Sequence, residues 1–224
     1  MCGRFAQITP VGDLVNIFEV TDSLPLQPRY NIAPTQDVAV VRAAGHQHQL
    51  ALLRWGLVPR WAKDLSIGFK TFNARSETVH EKPSFKAAFK SRRCLIPASG
   101  FYVWDKLGKA RQPYYMSRSD GRPLALAGLW EAWVDRLSGE LLESCTILTT
   151  SANQTVGRIH DRMPVILEQD DCGLWLDQTV QRTEELTGLF RPAAEEILQM
   201  MPVSTYVNKA GHEGTECVAP VAAG

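Results

Sequence analysis

The chain has 224 residues, 45% hydrophobic and 21% charged, an ordinary globular composition with enough length for one substantial core. Twenty-four basic residues balance twenty-four acidic ones, so no global field draws the protein toward nucleic acid, and any such binding rests on a local patch. Five widely spaced cysteines, with no CxxC pair and no CxxC…HxxxH spacing, indicate neither a disulfide framework nor a structural zinc site, so no metal is expected.

MCGRFAQ at the start carries no apolar signal core, and nowhere does the chain offer the roughly 18 unbroken apolar residues of a membrane helix. The expectation is a protein of a reducing, cytoplasmic compartment. Val11–Val20 places Leu14, Ile17 and Phe18 on one face and predicts a helix. β-type runs follow at Val38–Arg42 and Leu50–Trp55, then a helix at Ser84–Ser91 built on Phe85, Ala88 and Phe89. Strands are predicted at Cys94–Ala98, Phe101–Trp104, Pro113–Ser117, Leu124–Leu129 and Cys145–Thr149, helices at Cys172–Leu176 and Glu184–Phe190, and a last strand at Val203–Val207. Small residues dominate Gly211–Gly224, which is expected to be a flexible tail behind a single domain of residues 1–210. Helices decorate the strands rather than alternating with them. The predicted class is therefore α+β, a mixed, largely antiparallel sheet folded into a barrel-like core with surrounding helices. No GxGxxG or Walker loop occurs, so no nucleotide cofactor is expected.

Neutrality hides a polarised chain. Between Arg54 and Arg93 ten basic residues (Arg54, Arg60, Lys63, Lys70, Arg75, Lys82, Lys86, Lys90, Arg92, Arg93) face three acidic ones (Asp64, Glu77, Glu81). Between Glu131 and Gln199 thirteen acidic residues face five basic ones. A local cationic surface and a set of merely solvated faces both fit such runs.

Cys2 is the first residue with distinctive chemistry. Removal of Met1 would leave an α-amine and a thiol on adjacent carbons, with ordinary pKa values of about 7.7–8.0 and about 8.5. An aldehyde would condense with the amine to a Schiff base, and the neighbouring thiol would close a five-membered thiazolidine without further diffusion. A second-position cysteine also suits an incidental or buried role.

Several blocks occur in order: MCGRFAQ, RYNIAPTQ from Arg29, RWGLVPRWA from Arg54 and FNARSETV from Phe72. KPSFKAAFKSRRCLIPASGFYVW from Lys82, AGLWEAW from Ala127, TILTTSAN from Thr146 and IHDRMPVIL from Ile159 complete the set. Together they resemble the SOS-response-associated peptidase family over roughly residues 1 to 210. The resemblance implies an enzyme that crosslinks itself covalently to abasic sites in single-stranded DNA, with removal of Met1 by autoproteolysis or an aminopeptidase. It implies no cofactor, a monomer, and a cytoplasmic location, nucleoid-associated at damage.

Carried over residue by residue, the resemblance makes Cys2 the nucleophile, Asn73 the polar group holding it near the opened sugar, and His160 the acid–base residue, whose imidazole can accept and donate protons near neutral pH. Arg4, Arg75 and Arg162 would clamp phosphates, for which forked guanidinium groups are suited. Pro34, Trp61 and Trp104 would wedge or stack against bases, as would Trp55, which equally suits the core. By residue type alone, each of these also fits a structural role.

One position departs from the family pattern. Where the family reads GFYEW, this chain has Gly100, Phe101, Tyr102, Val103 and Trp104. The resemblance associates that glutamate with sugar-ring opening, N-terminal processing and crosslink reversal, and valine donates no proton. Asp105, Glu77, Glu131 and Asp161 are the carboxylates available to replace it. Two rival readings follow: a cysteine peptidase acting in trans, and a non-catalytic reader of single-stranded DNA.

Overall fold

The computed structural model describes residues 2–105 and 111–221; the expectation that Met1 is removed lies outside the described residues. In chain order the elements are β1 (Phe5–Gln7), α1 (Val11–Ile17), β2 (Val20–Asp22), β3 (Arg29–Ile32), β4 (Asp37–Ala44), β5 (Gln47–Trp55), β6 (Asn73–Arg75) and α2 (Lys86–Ser91). There follow β7 (Arg93–Ala98), β8 (Gly100–Trp104), β9 (Pro113–Arg118), β10 (Leu124–Val134), β11 (Leu141–Ser151) and α3 (Gln154–Gly157). The last are β12 (Arg162–Pro164), β13 (Ile166–Leu167), α4 (Gln169–Leu176), α5 (Thr183–Thr187) and β14 (Leu198–Pro202).

Strands β11, β10, β7, β4 and β5 are neighbours in that order, and a parallel pairing of β5 with β11, Arg54 opposite Ser144 and Trp55 opposite Cys145, closes them into a barrel. Beside it lies a five-stranded sheet in the order β14-β9-β8-β1-β3. The α+β class and the barrel-like core predicted from sequence are present. Alternation along the barrel strands serves two cores. Val38, Val40, Leu53, Trp55, Cys94, Ile96, Leu124, Leu126, Cys145 and Ile147 pack with Phe5, Ile32, Phe101 and Met116 of the second sheet. Ala39, Val41, Leu95, Ala127, Leu129 and Leu148 pack instead with Leu14 of α1, Phe89 of α2 and Trp175 of α4.

Two glycines are required by position. Gly45 takes φ +64° in the two-residue turn joining β4 to β5, a conformation that suits glycine. A Cβ on Gly128 would stand 2.1 Å from Ile96 Cδ1 and 3.0 Å from the Thr146 carbonyl oxygen, so any larger residue there would force Ile96 to shift.

Three expectations are corrected. Val203–Val207 alternates like a strand but is not one: the Ser204 hydroxyl accepts from the Tyr206 N–H at 3.2 Å and starts a 3-10 turn over Thr205–Asn208, while the paired strand is Leu198–Pro202. Gly211 to Val221, expected to be a flexible tail, is packed against the fold: Cys217 is buried, Val203 bridges Pro220, and Glu213 pairs with Arg29 at 2.9 Å. Arg93 is not surface charge. Its buried guanidinium donates to the carbonyls of Phe89 (2.9 Å), Lys90 (2.8 Å), Trp175 (2.7 Å) and Asp177, which ties the C-terminal ends of α2 and α4 together.

Candidate active site and its flanking surface

Strand β1 lies between β8 and β3, with Phe5 opposite both Phe101 and Ile32, and the Tyr102 N–H donates to the Arg4 carbonyl at 3.0 Å. That pairing carries the N-terminal residues along β8 and brings Cys2 into the apolar cluster holding Phe5, Trp55, Val103 and Ile147. Cys2 is only 2% exposed. Burial pushes its thiol up to about 12, so the sulfur is protonated at neutral pH.

Asn73 reaches Cys2 from another element. β6 pairs with β11 in parallel, Asn73 opposite Ile147, and Asn73 Nδ2 donates to the Cys2 carbonyl at 2.7 Å. Asn73 Oδ1 is buried with no hydrogen-bond partner among the described residues. Trp55 sets the spacing between the two. Its ring meets Phe5 edge-on at 5.0 Å and Phe72 at 5.9 Å, and its indole N–H donates to the Phe72 carbonyl at 2.7 Å. Of the two roles open to Trp55, the buried ring fits the core and not base stacking.

The end of β11 gathers the next residues. Thr149 lies opposite Arg75 of β6 on one side, and Ser151 opposite Arg162 of β12 on the other. The Arg75 guanidinium is exposed and has no ion-pair partner among the described residues. Arg162 is held internally: Nη2 donates to the Thr149 carbonyl at 2.6 Å, and both Nη atoms face the Glu77 carboxylate, the Nη2–Oε2 contact at 2.9 Å. This contact is the main reason the Glu77 carboxyl sits below the usual carboxylate range.

His160 follows α3, and its Nδ1 has two neighbours: the Arg162 backbone N–H at 3.0 Å and Asp161 Oδ1 at 3.0 Å. The amide N–H meets a lone pair on Nδ1, which places the neutral ring's proton on Nε2.

The remaining expected contact residues are placed unequally. Arg4 Nη1 donates to Asn31 Oδ1 at 2.7 Å and to the Val207 carbonyl at 3.0 Å, so its guanidinium latches the C-terminal segment. Trp104 is half-buried beneath it, 5.8 Å from Arg4 Cζ, with its indole N–H on Asn208 Oδ1 at 2.6 Å. Pro34 lies in a turn fastened to Trp55, whose carbonyl accepts from the Thr35 N–H at 2.7 Å. Trp61 stands apart, 54% exposed, its indole N–H directed at the Pro83 carbonyl at 3.4 Å.

Val103 is buried in the Cys2 cluster and lies opposite Tyr114 of β9. Of the carboxylates considered as replacements, Glu77 pairs with Arg162 and buried Glu131 bridges Arg60 (3.0 Å) and Arg92 (2.8 Å). Asp105 is half-buried at the end of β8, where its N–H donates to the Gln112 carbonyl at 3.0 Å. Asp161 is the one that touches His160. Sequence reasoning missed the parts played by Phe5, Phe72 and Thr149, which no motif spacing signals because they act through strand pairing.

Fold and site together define an α+β barrel protein with a buried cysteine near its N terminus, whose carbonyl is hydrogen-bonded by an asparagine on the strand next to β11. The sequence matches the family described as SOS response associated peptidase (SRAP) over residues 1–210, and the chain belongs to that family. It is 38% identical over 222 residues to abasic site processing protein YoqW of Bacillus subtilis (strain 168), covering 97% of this chain and 99% of that one. It is 34% identical over 230 residues to abasic site processing protein HMCES of Xenopus tropicalis, covering 89% of this chain and 68% of that one. A solved protein of Bacteroides thetaiotaomicron superposes with a TM-score of 0.89 at 24% identity, covering 99% of this chain and 100% of that one, and so shares the fold.

Proposed function

We propose that the protein processes abasic sites in single-stranded DNA by linking Cys2, freed of Met1, to the sugar aldehyde. The observation that carries this reading is the Asn73–Cys2 contact at 2.7 Å, a half-buried side chain spent on fixing the backbone of the second residue. The names of the family's relatives, which describe abasic site processing, support the substrate.

The chemistry balances without a cofactor. Hydrolysis at Met1 consumes one water and exposes the Cys2 amine. That amine adds to the ring-opened aldehyde and water leaves, giving a Schiff base. The sulfur then adds to the imine carbon while its proton passes to nitrogen, closing the thiazolidine. His160, whose Nδ1 accepts from the Arg162 N–H and so leaves Nε2 as its proton-bearing nitrogen, serves the dehydration. Exposed Arg75 offers a guanidinium to a phosphate beside the lesion.

Incubation of Met1-free protein with an abasic oligonucleotide, followed by a denaturing gel, tests the reading. A shifted band that requires Cys2 and is absent with undamaged DNA is expected. No band, or an equal band with Cys2→Ser, overturns it. Binding without a band would leave the non-catalytic reader.

A further inference from the structure

The basic run of the sequence resolves into two populations. Arg92 and Arg93 are turned inward, on Glu131 and on backbone carbonyls respectively. Lys82, Lys86 and Lys90 are exposed, and none has an ion-pair partner among the described residues. Their spacing is i, i+4, i+8. The Lys86 N–H donates to the Lys82 carbonyl at 2.9 Å, so a hydrogen-bonded turn leads from Lys82 into α2, on which Lys86 and Lys90 share a face. Four residues of helix advance about 6 Å, close to one nucleotide of extended backbone.

This row is fixed relative to Trp61. The Trp61 indole meets the Pro83 carbonyl at 3.4 Å, at the end of the row nearest Lys82. Buried Glu131 of β10 holds Arg60, the neighbour of Trp61, at 3.0 Å and Arg92, the residue after α2, at 2.8 Å. Trp133, two residues further along β10, donates from its indole to the Ala62 carbonyl at 2.9 Å. An exposed indole and three exposed lysines, without ion-pair partners among the described residues, are thus braced through one strand. A base-stacking surface leading into a track for phosphates has this form.

We propose that the Lys82–Lys86–Lys90 row carries the phosphate backbone of the single strand leading away from Trp61. The inference rests on the DNA-processing reading given above, and adds a second contact region outside the cysteine site. A single strand fits better than a duplex, since the three charges follow one another along one short stretch of chain and the adjoining indole needs an unpaired base to stack upon.

The test uses full-length protein with Cys2→Ala, which keeps binding non-covalent, and a fluorescent undamaged oligonucleotide. Its affinity is measured across a salt series, with and without Lys82→Gln, Lys86→Gln and Lys90→Gln together, and with the corresponding glutamate triple. Each phosphate contact in a single strand contributes about 0.7 to the slope of log affinity against log salt, so the glutamine triple should flatten it by about 2. The glutamate triple should weaken binding roughly tenfold or more at low salt. An unchanged slope in correctly folded variants overturns the row as a phosphate track. A gain in affinity from a duplex arm but not from a single-stranded arm overturns the choice of partner. Crosslinking of an abasic oligonucleotide by proteins with intact Cys2 is scored separately. If crosslinking fails while the slope still responds to the lysines, the proposed function has failed and the row stands.

Discussion

Asn73 holds the Cys2 carbonyl through its amide nitrogen at 2.7 Å while its own oxygen stays buried and unpaired. A group that gives up one hydrogen bond to keep this orientation is fixing the backbone of residue 2. Asn73→Ala should therefore slow crosslinking by about 100-fold, the scale of a misplacement near 1 Å, while costing only about 1 kcal/mol of stability. Single-turnover gels beside thermal melts separate the two effects; a rate loss no larger than the stability loss implies would refute a positioning role.

Val103→Glu puts a carboxyl into the apolar cluster that contains Cys2. Burial raises such a group and keeps it protonated, the state needed to donate to a sugar oxygen. The variant should melt at lower temperature yet crosslink faster than the parent. A variant that folds and crosslinks no faster would show that ring opening does not limit this protein.

Glu77 competes with any phosphate for Arg162. Glu77→Gln should leave the guanidinium less neutralised and tighten non-covalent binding to single-stranded DNA roughly fivefold at low salt, a modest effect because the carboxylate is half exposed. Since Arg162 holds the Glu77 carboxyl below its usual value of 4.5, the pair's contribution is complete above that pH and is lost as pH falls through the lowered folded value. The gain in affinity should fade in parallel on acidification. An equal gain in Arg162→Ala/Glu77→Gln would sink the argument.

Burial raises the thiols of Cys2 and Cys172 to about 12, from 9.0 in the open chain. Because the folded values lie above the unfolded ones, the stabilisation is fully present below pH 9.0 and declines as pH climbs toward about 12. Denaturant melts should show flat stability through neutral pH as far as these groups are concerned, then an alkaline fall that shrinks in Cys172→Ala. A thiol reagent at pH 7.5 should label the folded chain far more slowly than the denatured one.

Arg93→Met removes a donor set serving four carbonyls at two helix ends. A loss of about 3 kcal/mol is expected in urea melts, with crosslinking per folded molecule unchanged.

How far these features could be read beforehand depended on length scale. Long barrel strands such as β4 and β10 announce themselves as nearly continuous apolar runs because each buries both faces against different cores. The short strands β1, β6 and β12, of three residues each, are too brief for any period, yet they carry or flank the chemistry. Their position depends on β11, which receives β6 and β12, and on β8, which receives β1. Motif resemblance therefore named Cys2, Asn73 and His160, while only the fold could tell that Arg162 is engaged by Glu77 and Arg4 by Val207. The lysine repeat at 82, 86 and 90 was visible in sequence, but the inward turn of Arg93 was not.

The Arg4–Val207 latch spans 203 positions of the chain. During synthesis Cys2 emerges from the ribosome long before Val207, the residue whose carbonyl helps pin its strand. A nascent chain consequently presents that cysteine as a loose, ordinary thiol, and its burial waits on the far end of the fold.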